Sequence, residues 1–266
     1  MLFAKLGPVA QVMGEAESLA AMHKASVQAG HSEEECLIPT VHAYGTTQDG
    51  TKAFLVTDYK DLSGGLGRQN QRILGKRLAE MHLHGTSSNG MFGFERPTHC
   101  GETEQDNTWT KTWPDFWADR RIGDLVRRSG DAELAKLEDQ LRKKVYPLLF
   151  NDHAMKNVRP AIIHGDLWSG NSGTDESTGQ PIIFDPSSSY CHNEAELGIM
   201  KMFGGYGSEF FEAYHNVIPK AEPHYEQRMD MYEAYHHLNH FVIFGGGYRS
   251  GTVRIFKKLI AWADEQ

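Results

Sequence analysis

Asp166, Asn171 and Asp185 are the residues of this chain whose types and spacing speak most directly of chemistry. Asp166 and Asn171 lie in the run Ile163-His164-Gly165-Asp166-Leu167-Trp168-Ser169-Gly170-Asn171, and Asp185 closes the apolar stretch Ile183-Phe184. Phosphoryl transfer from a nucleoside triphosphate needs such a set. One carboxylate orients the attacking hydroxyl and accepts its proton, while an amide and a second carboxylate hold magnesium on the phosphates. Both Asn171 and Asp185 offer the oxygen ligands that a hard cation prefers. Asp-x₄-Asn alone recurs by chance. With His164 two residues before Asp166, and a strand that ends in Asp185, the pattern reads as a kinase. His164 is expected to brace the loop rather than to move a proton.

Lys5 sits in the apolar context Leu2-Phe3-Ala4-Lys5-Leu6. In the kinase pattern a strand lysine of this kind reaches the α/β-phosphates and is held by a glutamate of the following helix. Glu15 is the expected partner, with Glu17 as the alternative. Gly165 stands where protein kinases carry the Arg of His-Arg-Asp, and only a short stretch separates Asp185 from the helical pattern near Glu194. That leaves no room for a long peptide-docking segment, so the acceptor is expected to be a small molecule or a side-chain adduct. Trp168, inside the catalytic loop, could face a sugar. His236 and His240 share a helix face, but a His-Glu-x-x-His site lacks its Glu here, so they are read as structural or pocket-lining. Gly245, Gly246 and Gly247 are expected to end a helix.

The elements that must position these groups can be sketched from periodicity and turn signals. Strands are expected at 2–6, 40–44 and 53–57, the last two joined by the turn Gln48-Asp49-Gly50, with a helix over 13–28. A connector, 58–65, leads to an amphipathic helix over 66–84. A Gly-rich and polar loop covers 85–108, helices follow at 113–128 and 131–149, and the chain after Asp185 reads as mostly helical. The fold class expected is α+β: a small β-bearing lobe over residues 1–60, then a larger helical lobe over 61–266 that carries the catalytic loop.

Composition narrows the partners. The 266 residues hold 27 Lys plus Arg against 35 Asp plus Glu, a formal charge of −8, which argues against nucleic acid. No apolar run approaches the roughly 20 residues of a membrane span, and the N-terminus has no signal-peptide pattern. Cys36, Cys100 and Cys191 are odd in number and widely spaced, so neither a disulfide framework nor a zinc site is indicated. A reducing, cytoplasmic setting is expected.

The chain resembles the fructosamine 3-kinase/ketosamine 3-kinase family, a branch of the aminoglycoside-phosphotransferase-like kinases. The resemblance rests on His164-Gly165-Asp166-Leu167-Trp168-Ser169-Gly170-Asn171, Phe184-Asp185-Pro186-Ser187, Met202-Phe203-Gly204-Gly205, Glu194-Ala195-Glu196-Leu197 and Leu238-Asn239-His240. Upstream it includes Leu78-Ala79-Glu80-Met81-His82 and Asn107-Thr108-Trp109. It implies a protein-kinase-like, two-lobed fold, with ATP and Mg2+ as cofactors. The implied activity is phosphorylation of the sugar 3-hydroxyl of ketosamines, the ribulosamine or fructosamine adducts of protein lysines. The phosphate then makes the adduct unstable and frees the lysine. Carried over by position, Asp166 matches the catalytic Asp, and Asn171 and Asp185 match the metal ligands. Lys5 and Glu15 match the phosphate-binding pair, and Asp58 and Tyr59 the adenine-side connector. Trp168 would face the sugar, with Asn107 and Trp109 as further candidates for that pocket. In the family a strand–Gly-rich loop–strand precedes the lysine strand, whereas four residues precede Lys5 here. The small lobe is therefore expected to be truncated and ATP binding to be weak. Competing readings are a kinase of another small alcohol, such as an aminoglycoside, and a nucleotide-binding protein without turnover.

Overall fold

The structure is a computed structural model that describes residues 1–266. Its first unit is built on β1 (Leu2–Gly7), α1 (Val9–Gln28), β2 (Val41–Thr46) and β3 (Ala53–Asp58). The three strands form an antiparallel sheet in the order β1-β3-β2. β3 alternates buried and half-buried residues, as a strand with one covered face should. Its Ala53, Leu55 and Thr57 are buried, and α1 packs against that strand. α1 buries Val12, Ala16, Leu19 and Met22, a stripe at helical spacing. Pro8 supplies the residue before its first turn. The helix thus starts four residues before the position the periodicity suggested, since Val9 and Val12 already belong to the apolar stripe. β1 lies at one edge of the sheet, with Leu2, Phe3 and Leu6 exposed.

A short strand, β4 (Leu62–Ser63), leads into α2 (Arg68–His84). α2 buries Leu74, Leu78 and Met81 and packs on the helix Ser208–Val217. The stretch expected as loop between 85 and 108 contains a hairpin, β5 (Thr98–Cys100) and β6 (Thr103–Gln105). The runs expected as helices at 113–128 and 131–149 are helical but interrupted by π-turns over Phe116–Ile122 and Leu141–Val145. The catalytic stretch uses β7 (Ala161–Ile163), β8 (Ser172–Asp175), β9 (Pro181–Ile183) and β10 (Ser189–Cys191), with β8 pairing β9 and β7 pairing β10. The long helices Tyr225–Phe244 and Arg249–Asp264 complete the helical part. One apolar cluster runs from Val12 and Leu55 through Leu78 and Ile163 to Phe256, so the sheet and the helical part share a core. No helix is long and apolar enough to cross a membrane.

That core holds buried histidines that should make the fold acid-labile. Burial pushes His192 down to about 4, Glu194 and Arg228 being its charged neighbours, and His236 down to about 3, with His237 and His240 beside it. Both are neutral when folded, while an unfolded histidine takes a proton near pH 6.5. Their contribution is therefore complete above that value and is lost as pH falls toward 4 and below. Lowering the pH from 7.5 to 5.0 should cost roughly 2–4 kcal/mol from the pair. Thermal melts at the two values would show a clear fall in Tm; equal Tm would contradict this.

Candidate active site

β7 delivers the chain into the catalytic turn, and the turn is fixed from below. Gly165 has φ +82°, and a Cβ there would sit 2.3 Å from the Ser187 carbonyl oxygen. Only glycine fits that approach, which is the physical reason an arginine cannot stand there. The backbone N–H of Gly165 donates to Glu196 Oε1 at 2.9 Å, and that of His164 donates to Glu196 Oε2. Glu196 is 1% exposed. Burial disfavours its charge, but His82, 3.4 Å from Oε2, and the loop amides outweigh that and hold its pKa below the ordinary value. His82 Nδ1 is in turn 2.8 Å from the Tyr214 hydroxyl. His164 braces the turn itself: its Nε2 lies 2.9 Å from the Phe184 carbonyl, and its Nδ1 accepts the Asp166 N–H.

Asp166 stands at the base of a cleft of about 340 Å³ that Lys5, His99, Trp168, Asn171 and Asp185 also line. Its Oδ2 accepts Asn171 Nδ2 at 3.3 Å, and the Cys100 thiol lies 3.8 Å from its Oδ1. Burial lifts the Asp166 pKa to about 7; these two hydrogen bonds pull it back, while Glu196 and Asp185 add to the rise. A proton acceptor in that range suits general-base work near neutral pH.

Asn171 spends its N–H groups on the Asp166 carbonyl, at 2.8 Å, and carboxylate, which leaves its Oδ1 for a cation. Asp185 takes φ +56°, an uncommon conformation for a residue other than glycine, and its side chain is 55% exposed. Lys5 Nζ bridges Glu15 Oε2 at 2.6 Å and Asp185 Oδ1 at 3.1 Å. Burial works against the lysine's charge, but Glu15 and Asp185 outweigh it and raise its pKa. Glu17, the other candidate partner, pairs with Arg96 instead. An all-oxygen pair, Asn171 and Asp185, suits magnesium, which keeps most of its shell for water and phosphate oxygens.

A second pocket, of about 320 Å³, adjoins the first through Glu15 and Asp185, which line both. Its walls are Phe3, Leu19, Leu55, Tyr59, Ile182 and Phe184, with Asp58 at the rim. A flat apolar slot beside a phosphate-side lysine has the character of an adenine site. A larger groove, between α2 and the helix Ser208–Val217, carries none of these groups.

The acceptor side departs from the sequence reading. Trp168 lines the cleft and is 39% exposed. It lies across Gly170, where an added Cβ would meet the indole at 2.2 Å. Asn107 does not reach the cleft. It is 2% exposed, donates to the Arg96 carbonyl and Thr98, and accepts from Arg121, so its polar atoms are consumed in tying down the β5–β6 hairpin. Trp109 packs beside Tyr190, centroids 6.0 Å apart, and does not line the cleft. The hairpin's contributions are His99 and Gly101 on the cleft wall and Cys100 against Asp166. Sequence reasoning missed these, and it missed the clamp by Glu196. A glutamate within the apolar run Ala195-Glu196-Leu197-Gly198-Ile199 was the available signal for a buried, partnered carboxylate.

Sheet, helical part and catalytic loop together define a protein-kinase-like phosphotransferase. The crystal structure of aminoglycoside phosphotransferase APH(4)-Ia superposes with a TM-score of 0.56 at 12% identity, over 98% of this chain and 86% of that one, which speaks for the fold. A fructosamine-3-kinase candidate from Thermobifida fusca superposes with a TM-score of 0.78 at 26% identity, over 98% of this chain and 85% of that one. The sequence profile of the fructosamine kinase family matches residues 8–262. The chloroplastic protein-ribulosamine 3-kinase of Arabidopsis thaliana is 37% identical over 254 residues, 94% of this chain and 72% of that protein. The ketosamine-3-kinase of Mus musculus is 42% identical over 212 residues, 70% of this chain and 66% of that protein. The chain belongs to the fructosamine kinase family.

Proposed function

We propose that this chain transfers the γ-phosphoryl group of ATP to the 3-hydroxyl of ketosamines, the ribulosamine or fructosamine adducts of lysine. The observation that carries the reading is the cleft in which Asp166, Asn171, Asp185 and the Lys5–Glu15 pair converge. Residues 1–60 act as the smaller lobe and 61–266 as the larger, with the nucleotide between them. The adenine occupies the slot beside Asp58 and Tyr59, and Lys5 meets the phosphates. Asn171 and Asp185 hold magnesium, which when bound neutralises charge on the phosphate oxygens.

Asp166 accepts a hydrogen bond from the acceptor hydroxyl and takes its proton as the oxygen bonds to the γ-phosphorus; the bond from that phosphorus to the β-phosphate bridging oxygen breaks. Trp168 faces the sugar. A phosphate at C3 sits on the carbon next to the C2 carbonyl. Loss of a C1 proton gives the C1=C2 enaminol, and the nitrogen lone pair expels the allylic phosphate from C3. Water hydrolyses the resulting C1 imine, releasing the deglycated lysine and a 3-deoxydicarbonyl sugar. Our reading places the chain in a reducing, cytoplasmic setting, in keeping with three buried free cysteines; the name of the A. thaliana relative is chloroplastic.

The test is ATP consumption with magnesium and the ribulosamine or fructosamine of Nα-acetyl-lysine, against a panel of aminoglycosides and amino-alcohols. Turnover confined to the ketosamines is expected. Lys5→Ala should raise the KM for ATP or lower kcat by roughly tenfold or more, as loss of a charge-assisted phosphate contact does. Turnover of aminoglycosides alone, or full activity of Lys5→Ala, would refute the respective parts.

A further inference from the structure

Trp168 is the first ring of an aromatic strip that runs away from the cleft. Its centroid is 5.8 Å from that of Phe203, and Phe203 is 5.2 Å from His240. His240 lies 5.6 Å from Phe244 and 5.0 Å from Tyr248. Three separate segments contribute: the catalytic loop, the end of the helix Gly198–Phe203, and the end of the helix Tyr225–Phe244 with the turn beyond it. Phe203 is 40% and Phe244 68% exposed, so the strip presents ring surface that the core leaves uncovered. Burial, with His237 adding to it, lowers the His240 pKa. The imidazole is thus neutral at physiological pH and brings no positive charge to the strip.

Contiguous exposed apolar surface of this kind marks a contact site, and its origin at Trp168 makes it continuous with the acceptor pocket. The chemistry of a ketosamine matches it. Two carbons from the 3-hydroxyl, C1 carries a secondary amine that is cationic near neutral pH, followed by the methylenes of the lysine. Ring faces attract a cation and cover methylenes. We propose that Phe203, His240 and Phe244 extend Trp168 into a subsite for the amine side of the acceptor, binding the cationic nitrogen and alkyl chain of the glycated lysine. This deepens the ketosamine reading and rests on it.

The test compares three acceptors, the ketosamines of methylamine, of Nα-acetyl-lysine and of a lysine-centred tripeptide. For the unaltered chain, KM should fall along that series. Phe203→Ala with Phe244→Ala should raise KM for the tripeptide adduct by about tenfold, and for the methylamine adduct by much less. Phe244→Tyr, which keeps a ring, should restore most of the single Phe244→Ala loss. Equal KM values for all three acceptors, or an equal rise for all three in the double variant, would overturn the subsite. Calorimetric titration of the adducts without ATP reads binding apart from turnover. A chain that binds the tripeptide adduct better than the methylamine adduct yet phosphorylates neither would defeat the kinase reading and leave the subsite standing. Equal affinities would remove the subsite whatever the turnover.

Discussion

Asp166→Asn is expected to lower kcat by roughly 10²–10⁴-fold, the usual worth of a positioned general base, with the fold intact. The side chain is held on both oxygens, by Asn171 Nδ2 at 3.3 Å and by the Cys100 thiol at 3.8 Å. An asparagine fills the same volume there but cannot accept the hydroxyl proton. Because Asp166 stands at the base of the cleft and Lys5 pairs with Glu15 and Asp185 instead, affinity for ATP should change little. A loss in kcat with the ATP KM within about threefold would separate proton acceptance from nucleotide binding. If the variant kept more than about a tenth of the activity, Asp166 would not be the base.

The second large effect is expected at Glu196, which never meets a substrate. Its carboxylate takes the N–H groups of His164 and Gly165 from beneath the catalytic turn and faces His82. Glu196→Ala strands the N–H groups of His164 and Gly165 and removes the carboxylate that faces His82. The cost should be about 3–5 kcal/mol, in the range seen when one partner of a buried charged network is removed. Glu196→Gln keeps one acceptor oxygen but turns an NH₂ group toward an N–H. It should fold, melt lower than the parent and lose roughly tenfold in kcat as the turn loosens. Denaturant titration and steady-state kinetics check both. A Glu196→Gln protein with parental Tm and kcat would show that the turn is held by other means.

The contrast between Asp166 and Glu196 shows where sequence reasoning reaches and where it stops. Asp166, Asn171 and Asp185 stand close together along the chain, in a loop and at a strand end whose spacing is itself the chemical signature. The Lys5–Glu15 pair spans one strand and the helix that follows it, so the kinase pattern, in which a strand lysine meets a glutamate of the next helix, suffices to bring the two together. Asn107 and Trp109 failed as cleft residues for a reason no local pattern carries. Arg121, buried fourteen residues on, donates to the side-chain Oδ1 of Asn107 and also reaches Ser189. The β5–β6 hairpin was equally illegible. Its strands are three residues each, and side-chain bonds from Thr98 to the Ser188 carbonyl and from Gln105 to Tyr235 fasten it to distant parts of the chain. The π-turns within 113–149 were hidden because their residues keep the same apolar pattern as the α-helical turns on either side. Elements whose own residues settle their state were readable; those settled by partners far along the chain were not.

The position of the phosphate on the product reports directly whether this chain is a ketosamine 3-kinase. The chain would be incubated with ATP, magnesium and the ketosamine of Nα-acetyl-lysine carrying ¹³C in the sugar, and ³¹P–¹³C couplings followed in time. A phosphate on O3 is expected, then decay of that species with release of Nα-acetyl-lysine and inorganic phosphate, all slowed at least about a hundredfold with Asp166→Asn. A phosphate on another hydroxyl with the lysine still attached, or product formed equally by the Asp166→Asn protein, would contradict that reading.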